Sequence, residues 1–408
     1  MRRALNAPSV AALVLLAGAA VPAGAQSIPT EGPAINPSVY KVPAGAKTIN
    51  VDCDDTKQTL AAAIADKSTG DLNIVFSGTC KETIALVRDG VAIRGKDATA
   101  TVVGGIEVTG ARRVLLENFS CRDTTQQEYC IAALYGASVT LHNIKVFNSA
   151  IRGVMYFNAV GLVEGLTVDK TGSTSLLIRG SGVRLEGELT FSNTLEGCVT
   201  IDGVSSVFSK SGVITTRDCG IGVLIQSNST FQAPFATFNL NHNAFAGMML
   251  STQGTLSFGG AIVAKNNARF GIFVDDGSSF SPFTNIMSGA ALTLENNGTA
   301  GVYVRGGSYA ELISVASNSG SNFGVLVEDA RLQIGRSKIS DNKTADVRLV
   351  FGSRAMFFDG TVVGTFTCDG SELVRSSKAP TPTCIPDDPK SKPTTTSSTK
   401  PGTPQDKK

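Results

Sequence analysis

The side chains that could do chemistry in this chain recur at one position of a repeated pattern. Asp202 and Asp275 each stand four residues after the small residue that opens a repeat, and Arg305 has the same position in a later repeat. Glycosidases require two carboxylates about 5–9.5 Å apart, whereas Asp202 and Asp275 are three repeats apart, about 14 Å at about 4.8 Å per coil. An extended polymer needs a long groove parallel to the coil axis, and these positions share the outward strand face. If the protein is an enzyme, Asp202, Asp275 and Arg305 are therefore its candidate catalytic residues.

Four other side chains are weaker candidates for proton transfer. His142 lies in a strand-like segment and His242 in an asparagine-rich corner, and a lone histidine on a β surface is more often a hydrogen-bonded surface group than a base. Lys265 and Arg269 could act as the base and acid partner of a lyase, but solvated turn charges explain them more simply.

The elements that must position these side chains are the repeats themselves. Each repeat opens with a small residue followed by apolar, variable and apolar residues, and no repeat contains a helical period. The steps between repeats are 22 to 25 residues, with one step of 30. The repeats begin at Gly105, Cys130, Gly153, Ser175, Cys198, Gly222, Gly247, Gly271, Gly301, Gly324 and Asp346. Such a period predicts an all-β, right-handed parallel β-helix of about eleven to twelve coils.

Asparagine recurs just before these repeats, where the chain must turn a corner. The row comprises Asn148, Asn193, Asn266 and Asn296 at five residues before a repeat, Asn243 and Asn342 at four, and Asn318 at six. Asparagine tolerates the left-handed backbone of a sharp corner, and stacked amides can bond along the coil axis. At the N-terminal end, Thr56 to Asp66 predicts a short capping helix with Asp55 or Thr56 as its N-cap.

The N-terminal part of the pattern resembles a known group. The strand Thr48 to Asp52, Cys53, the alanine-rich helix, Ile74-Val-Phe-Ser-Gly-Thr-Cys80 and Gly90-Val-Ala-Ile-Arg-Gly95 are similar to the entry of pectin-lyase-like right-handed parallel β-helix proteins. The resemblance covers residues 48 to 366 and implies the fold. The group contains polysaccharide lyases, hydrolases and epimerases as well as coat and adhesion proteins. The NTD, GHG, RIK and Asp-Pro-His-Asp signatures of its enzymes are absent from this sequence.

Composition divides the chain into five segments. Residues 1–25 contain Arg2, Arg3, an apolar stretch and Ala23-Gly-Ala25, as a signal peptide does, which predicts a secreted or periplasmic protein. Residues 26–50 read as an extended leader, 51–366 as the β-helix with its cap, 367–384 as a clipped C-terminal end, and 385–408 as a disordered Pro, Thr, Ser and Lys tail. No segment is long and apolar enough to predict a membrane span.

The eight cysteines all follow the predicted signal peptide, an even number that favours disulfides over a metal site. Connectivity does not follow from sequence alone. Pairing neighbours in order gives Cys53 with Cys80, Cys121 with Cys130, Cys198 with Cys219, and Cys368 with Cys384. No CxxC motif or Cys/His cluster is present, so the sequence predicts neither a metal site nor a cofactor.

The second outward position of the repeat strand is unusually apolar. It reads Ala132, Met155, Leu177, Thr200, Leu224, Met249, Phe273, Tyr303, Leu326 and Arg348. A contiguous exposed apolar row usually marks a contact site. We expect a docking surface for a second copy or a partner, centred on Leu224, Met249, Phe273 and Tyr303. The alternative is that the leader, or the insertion near Phe280 and Phe283, covers the row.

Net charge is only +2 and the charges are dispersed, which gives no basis for nucleic-acid binding. The sequence therefore predicts an exported, non-catalytic β-helix protein that binds a polysaccharide or a protein partner along its side. The alternative is a divergent polysaccharide lyase or epimerase acting on an acidic polysaccharide.

Overall fold

The computed structural model describes residues 40–122, 128–283, 290–369, 371–375 and 385–386. Within these ranges nearly all regular structure is β-strand, and the one helix is α1 (Leu60–Ile64). The strands of the N-terminal half are β1 (Lys47–Asp52), β2 (Leu72–Ser77), β3 (Thr79–Lys81), β4 (Ile84–Leu86), β5 (Val91–Gly95), β6 (Thr101–Val103), β7 (Ile106–Thr109), β8 (Val114–Arg122), β9 (Tyr129–Leu134), β10 (Ser138–Ser149), β11 (Arg152–Phe157), β12 (Val160–Thr171), β13 (Thr174–Arg179), β14 (Gly182–Asp202), β15 (Ser206–Phe208), β16 (Val213–Ile225), β17 (Thr230–Ala233) and β18 (Thr237–Asn241). Those of the C-terminal half are β19 (Ala246–Leu250), β20 (Thr255–Phe258), β21 (Ala261–Lys265), β22 (Phe270–Val274), β23 (Ser279–Pro282), β24 (Ala291–Glu295), β25 (Ala300–Arg305), β26 (Tyr309–Ile313), β27 (Val315–Ser319), β28 (Phe323–Glu328), β29 (Arg331–Gly335), β30 (Lys338–Ile339), β31 (Ala345–Val350), β32 (Arg354–Phe357), β33 (Val362–Val363), β34 (Phe366–Cys368), β35 (Glu372–Arg375) and β36 (Ile385–Pro386).

These strands stack in parallel on three faces of a solenoid. Face 1 contains β1, β2, β5, β8, β10, β12, β14, β15, β17, β20, β23, β26, β29, β32 and β35. Face 2 contains β3, β6, β8, β10, β12, β14, β16, β18, β21, β24 and β27, with the pair β30 and β33 next to β27. Face 3 contains β4, β7, β9, β11, β13, β14, β16, β19, β22, β25, β28, β31, β34 and β36. Strands β8, β10, β12, β14 and β16 are long enough to bend through a corner and join two or three faces.

The predicted parallel β-helix is confirmed, and its repeat strands are those of face 3. The stack has about 14 turns, more than the eleven to twelve expected. The extra turns lie at the two ends, at β4 and at β34 and β36, outside the repeats that open at Gly105 and Asp346. Parallel backbone pairing continues there because it needs extended chain at the right spacing, not a particular side chain.

Alternation along each face 3 strand determines which side chains form the core. Val302 and Val304 are fully buried in the central cluster, as the sequence pattern predicts, while Tyr303 and Arg305 point outward. The interior is one continuous apolar column along the solenoid, with aromatic pairs such as Phe231 and Phe238 in edge-to-face contact. Each turn therefore buries its apolar residues against the turns above and below it.

The predicted asparagine row is in fact two rows, one residue apart. Asn148, Asn193, Asn266 and Asn296 have φ between 54° and 56°, so they make the left-handed corner between faces 2 and 3. The following position points inward, where Asn243, Asn267 and Asn297 form a buried ladder of amides. In this ladder Asn243 Nδ2 donates to Asn267 Oδ1 at 2.9 Å, and Asn267 Nδ2 donates to Asn297 Oδ1 at 2.9 Å.

The N-terminal cap is shorter than predicted. Helix α1 begins after Thr59, whose side chain accepts a hydrogen bond from Ala62 N, so the N-cap is Thr59 and not Asp55 or Thr56. Asp55 instead accepts from the backbone of Lys57 at 3.1 Å, a local turn that competes with helix. Leu60 is fully buried, and the helix therefore covers the end of the core as expected.

The two segments proposed to cover the apolar row do not do so where they are described. Tyr40 packs against Ala92 and Leu115 on the outside of face 1, not on face 3. Phe280 is fully buried in the core as part of the regular strand β23, so the insertion does not begin there. Residues 26–39 and 284–289, the predicted signal peptide and most of the C-terminal tail lie outside the described residues.

The disulfides with both cysteines among the described residues are Cys53–Cys80, Cys121–Cys130 and Cys198–Cys219. These are the pairs that neighbour-to-neighbour pairing predicts. Cys384, the predicted partner of Cys368, lies outside the described residues. Three disulfides fit an oxidising compartment, either extracellular or periplasmic.

Candidate functional site

The apolar row predicted from the repeat is a continuous ladder on the outside of face 3. Strand register places Leu224 beside Met249, Met249 beside Phe273, and Phe273 beside Tyr303. The same register extends the row to Ala132 at one end and Arg348 at the other. The orientation inferred from the repeat is therefore correct along the whole row.

The aromatic part of this row buries itself. The Phe273 and Tyr303 rings are stacked 5.2 Å apart with planes 12° from parallel, and Phe270 stacks on Phe273 at 5.0 Å. Phe273 is only 3% exposed and Tyr303 9%, because each ring covers the face of the next. This part of the row thus belongs to a second apolar cluster outside the core, with Phe245 packed against it.

Arg305 and Asp275, two of the candidate catalytic residues, form a two-pronged ion pair. Arg305 Nε donates to Asp275 Oδ1 at 3.0 Å and Nη2 donates to Oδ2 at 2.8 Å. The guanidinium also lies 5.1 Å from the Phe273 ring centre and 5.7 Å from that of Tyr303. Glu328, which strand register places beside Arg305 on the next turn, accepts a hydrogen bond from the Tyr303 hydroxyl.

Asp202, the third candidate, is held by Arg179 on the preceding turn. Arg179 Nε and Nη2 both contact Asp202 Oδ2, at 2.8 and 2.6 Å. Burial opposes ionisation of Asp202, but hydrogen bonds from Ser227 and Arg179 outweigh it and lower the pKa of this carboxyl. Asp202 and Asp275 are three turns apart, about 14 Å at about 4.8 Å per turn, so the structure does not bring the two carboxylates together.

A groove of about 450 Å³ runs along face 3 beside this ion pair. It crosses five turns, from β11 to β19, a length of about 19 Å at about 4.8 Å per turn. Leu177, Thr200 and Leu224 lie along its middle, and Arg179 and Gln226 lie along one side. The remaining lining residues are Arg152, Ser173, Thr174, Leu195, Glu196, Gly197, Gly220, Ile221, Ala244 and Phe245.

The groove contains residues that the sequence interpretation missed. Arg152, Glu196 and Phe245 precede the repeat strands and were not assigned to the outer surface. Arg152 pairs with Glu128 on the previous turn, and Ser173 donates to Glu196 at 2.5 Å. Extending the repeat alignment a few residues upstream would have placed them beside the row.

Metal-type ligands come together once in the described part of the chain, at Cys53, Cys80 and Glu82. Both cysteines are in a disulfide, and Glu82 accepts hydrogen bonds from Leu60 N and Ala61 N at the start of α1. This cluster therefore serves the N-terminal cap. No helix in the described ranges is long and apolar enough to cross a membrane.

Comparison with known proteins yields similarity of structure only. No protein-family model and no curated protein sequence matches the chain. A mutant of the periplasmic alginate epimerase AlgG is 12% identical, with 80% of this chain and 83% of that chain covered and a TM-score of 0.44. The A-module of the Azotobacter vinelandii mannuronan C-5 epimerase AlgE4 is 12% identical over 80% and 94%, with a TM-score of 0.40. A PL6 alginate lyase in complex with a trisaccharide is 11% identical over 83% and 89%, with a TM-score of 0.33.

The strand pairing of the chain itself defines it as a parallel β-helix protein. Solved structures that are 11–12% identical bear on the fold alone. Its function therefore has to be argued from its own residues.

Tyr303 provides a test of the aromatic row. Burial, then its hydrogen bond to Glu328, raises the pKa of Tyr303 to about 12, against about 10 for an unperturbed tyrosine. The folded state keeps this proton after the unfolded state has lost it, so stability falls as pH rises from about 10 to about 12. Replacing Tyr303 with phenylalanine should make that fall less steep in denaturant unfolding measured across this pH range. Equal slopes in wild type and in Tyr303→Phe would contradict the assignment.

Proposed function

We propose that this protein is exported and binds an extended polysaccharide along face 3, without reacting with it. The observation that carries the proposal is the groove over five turns, with apolar side chains along its middle and hydrogen-bonding side chains at its edges. Binding sites for small and chain-like ligands commonly combine these two kinds of surface. The export rests on the signal-peptide pattern and fits the three disulfides.

The chemistry of the groove suits sugar units better than a peptide or a lipid. A sugar ring has an apolar C–H face that can lie on Leu177 and Leu224, and hydroxyl groups that can bond to Thr200 and Gln226. Arg179 is 47% exposed although it is paired with Asp202, so part of its guanidinium faces the groove. Turns repeat at about 4.8 Å, which lets similar contacts recur along a polymer.

The apolar row continues the proposed polysaccharide-binding surface beyond the end of the groove. Leu224 belongs to both, and Met249, Phe273 and Tyr303 follow on successive turns. Because Phe273 and Tyr303 cover one another, they present ring edges and not a broad apolar face. This arrangement favours a narrow polymer over a second copy of the chain as the partner of the row.

The ion pairs favour binding without catalysis. Asp275 is engaged by Arg305 through both oxygens, and Asp202 is engaged by Arg179. A pair of carboxylates for glycoside hydrolysis would have to lie about 5–9.5 Å apart, which a separation of three turns does not meet. We therefore expect no unsaturated or epimerised product when the protein is incubated with uronate polymers.

Replacing Leu224 with aspartate should weaken polysaccharide binding roughly tenfold or more, equivalent to about 1.4 kcal/mol. The substitution places a charge in the middle of the groove, where it stays hydrated and keeps the sugar face away. Binding would be measured by affinity electrophoresis and calorimetry with alginate, polygalacturonate and the neutral polymer dextran.

The matched control is Val263 to aspartate, a half-buried outward valine on face 2. It adds the same charge at a distance from the groove, so it separates a local effect from general repulsion of acidic polymers. If wild type binds none of the three polymers, or if both variants lose binding equally, the groove is not the site. Dimers in light scattering that Leu224→Asp dissociates would instead identify a second copy as the occupant.

A further inference from the structure

The outside of face 1 carries a line of polar side chains that the groove on face 3 does not use. Strand register places Arg94 beside Glu117, Glu117 beside His142, and His142 beside Glu164. The four residues are 22 to 25 positions apart in sequence, so they occupy the same place on four successive turns. The line ends under Tyr40, where the described chain begins.

Glu117 fixes the orientation of His142. Its two oxygens lie 2.7 Å from His142 Nδ1 and 2.7 Å from Arg94 Nε. The Glu117 carboxylate accepts hydrogen bonds, so His142 Nδ1 carries a proton and, in the neutral imidazole, Nε2 is the acceptor. Glu117 is 17% exposed and His142 is 42% exposed, so the acceptor nitrogen of a fixed ring remains accessible.

A cavity of about 280 Å³ lies over this line. One part of its lining is apolar, from Leu115, Val42 and the ring of Tyr40, which packs on Leu115 and donates from its hydroxyl to Asp71 at 2.8 Å. The polar part of the lining consists of Lys41, Arg94, Glu117, Thr140, His142 and Glu164.

The charges of the lining cancel. Lys41 and Arg94 balance Glu117 and Glu164. Such a lining favours neither an anion nor a cation. It offers several hydrogen-bond acceptors beside an apolar wall, which suits a neutral ligand that has hydroxyl groups on one side and C–H groups on the other.

We propose that this cavity is a second saccharide site, which binds a neutral sugar unit with His142 Nε2 and Glu164 accepting hydrogen bonds from its hydroxyls. Thr140, 4% exposed, lies beside Leu115 on the next turn and adds a hydroxyl at the bottom of the site. The site stands on its own contacts and does not depend on the groove of face 3. With both sites occupied, one molecule would hold two sugar chains on different faces.

The two histidines of the chain allow a direct test. Protein labelled with ¹⁵N only at histidine gives resonances from His142 and from His242, which lies at a corner between faces 2 and 3 and serves as an internal control. Cellohexaose, laminarihexaose and mannohexaose would be added in turn. At least one should shift the His142 resonances in a saturable way and leave those of His242 in place.

Variants complete the test. His142→Gln and Glu164→Gln should each weaken binding of the active hexaose by tenfold or more in calorimetry, while His242→Gln should leave it unchanged. In Leu224→Asp the active hexaose should still shift the His142 resonances, which distinguishes this site from the groove on face 3. The proposal is overturned if none of the three hexaoses shifts His142. It is equally overturned if only charged oligomers of galacturonate or glucosamine do so, since the ligand is then not neutral.

Discussion

Replacing Asn267 with alanine is expected to lower the free energy of unfolding by about 3–5 kcal/mol. Asn267 Oδ1 accepts from Asn243 N at 3.0 Å and from Asn243 Nδ2 at 2.9 Å. Both donors are buried and would lose this acceptor, at about 1–3 kcal/mol each. The backbone carbonyl of Leu240 would also lose the 3.0 Å bond from Asn267 Nδ2. Alanine leaves a cavity of a few atoms in addition.

Urea unfolding monitored by circular dichroism measures this loss of stability, with Asn266→Gly as the matched control. Asn266 is the neighbouring residue, exposed and at φ 56°, a conformation that glycine adopts without strain. Its replacement should therefore change stability far less. An Asn267→Ala protein as stable as wild type would mean that the Asn267 amide contributes nothing to stability.

These two asparagines also show how far the sequence could predict the corner. Spacing correctly indicated asparagine at a recurrent bend and amides bonded along the axis. It assigned both roles to one row, because adjacent residues in a turn differ only in which direction the backbone points them. That direction depends on the left-handed φ of Asn266, which turns Asn267 inward.

The outer surface of face 3 could be predicted from the sequence better than that of face 1. The row of Leu224, Met249, Phe273 and Tyr303 follows from the repeat, because register and alternation are properties of the backbone. The near-complete burial of Phe273 and Tyr303 does not follow, since it arises from rings on adjacent turns covering each other. The environment of His142 was missed because its partner Glu117 is 25 residues away and meets it only through strand pairing. The positions one repeat before and one repeat after His142 hold Glu117 and Glu164, so the repeat spacing could have identified both.

The sequence pattern indicates only that a small residue opens each repeat. The structure shows why the residue at position 301 has to be glycine. A Cβ at this position would lie 2.4 Å from Asn318 Oδ1 and 2.8 Å from both Cγ and Nδ2 of the same side chain. Its backbone conformation is not left-handed, so the requirement comes from space alone. Asn318 is 1% exposed and donates from Nδ2 to Gly324 O at 2.8 Å.

Gly301→Ala should therefore lower the free energy of unfolding by about 1–3 kcal/mol, the usual cost of an additional methyl group in a packed interior. Asn318→Ala alone should cost a similar amount, because it leaves Gly324 O without that donor. In the double variant the new methyl group takes part of the space that Asn318 occupied. The double variant should then be about as stable as Asn318→Ala alone, with a coupling of about 0.5–3 kcal/mol.

The four proteins of this cycle would be compared by urea unfolding, with Gly45→Ala as a control in which no atom lies within 4 Å of the added Cβ. A cost of Gly301→Ala that persists without Asn318 would show that the glycine is required by something other than this amide. Coupling confined to the pair would instead mean that the repeat glycine and the buried asparagine were selected together. The constant spacing between the asparagine-rich corner and the glycine in the sequence would then result from a packing contact between adjacent turns.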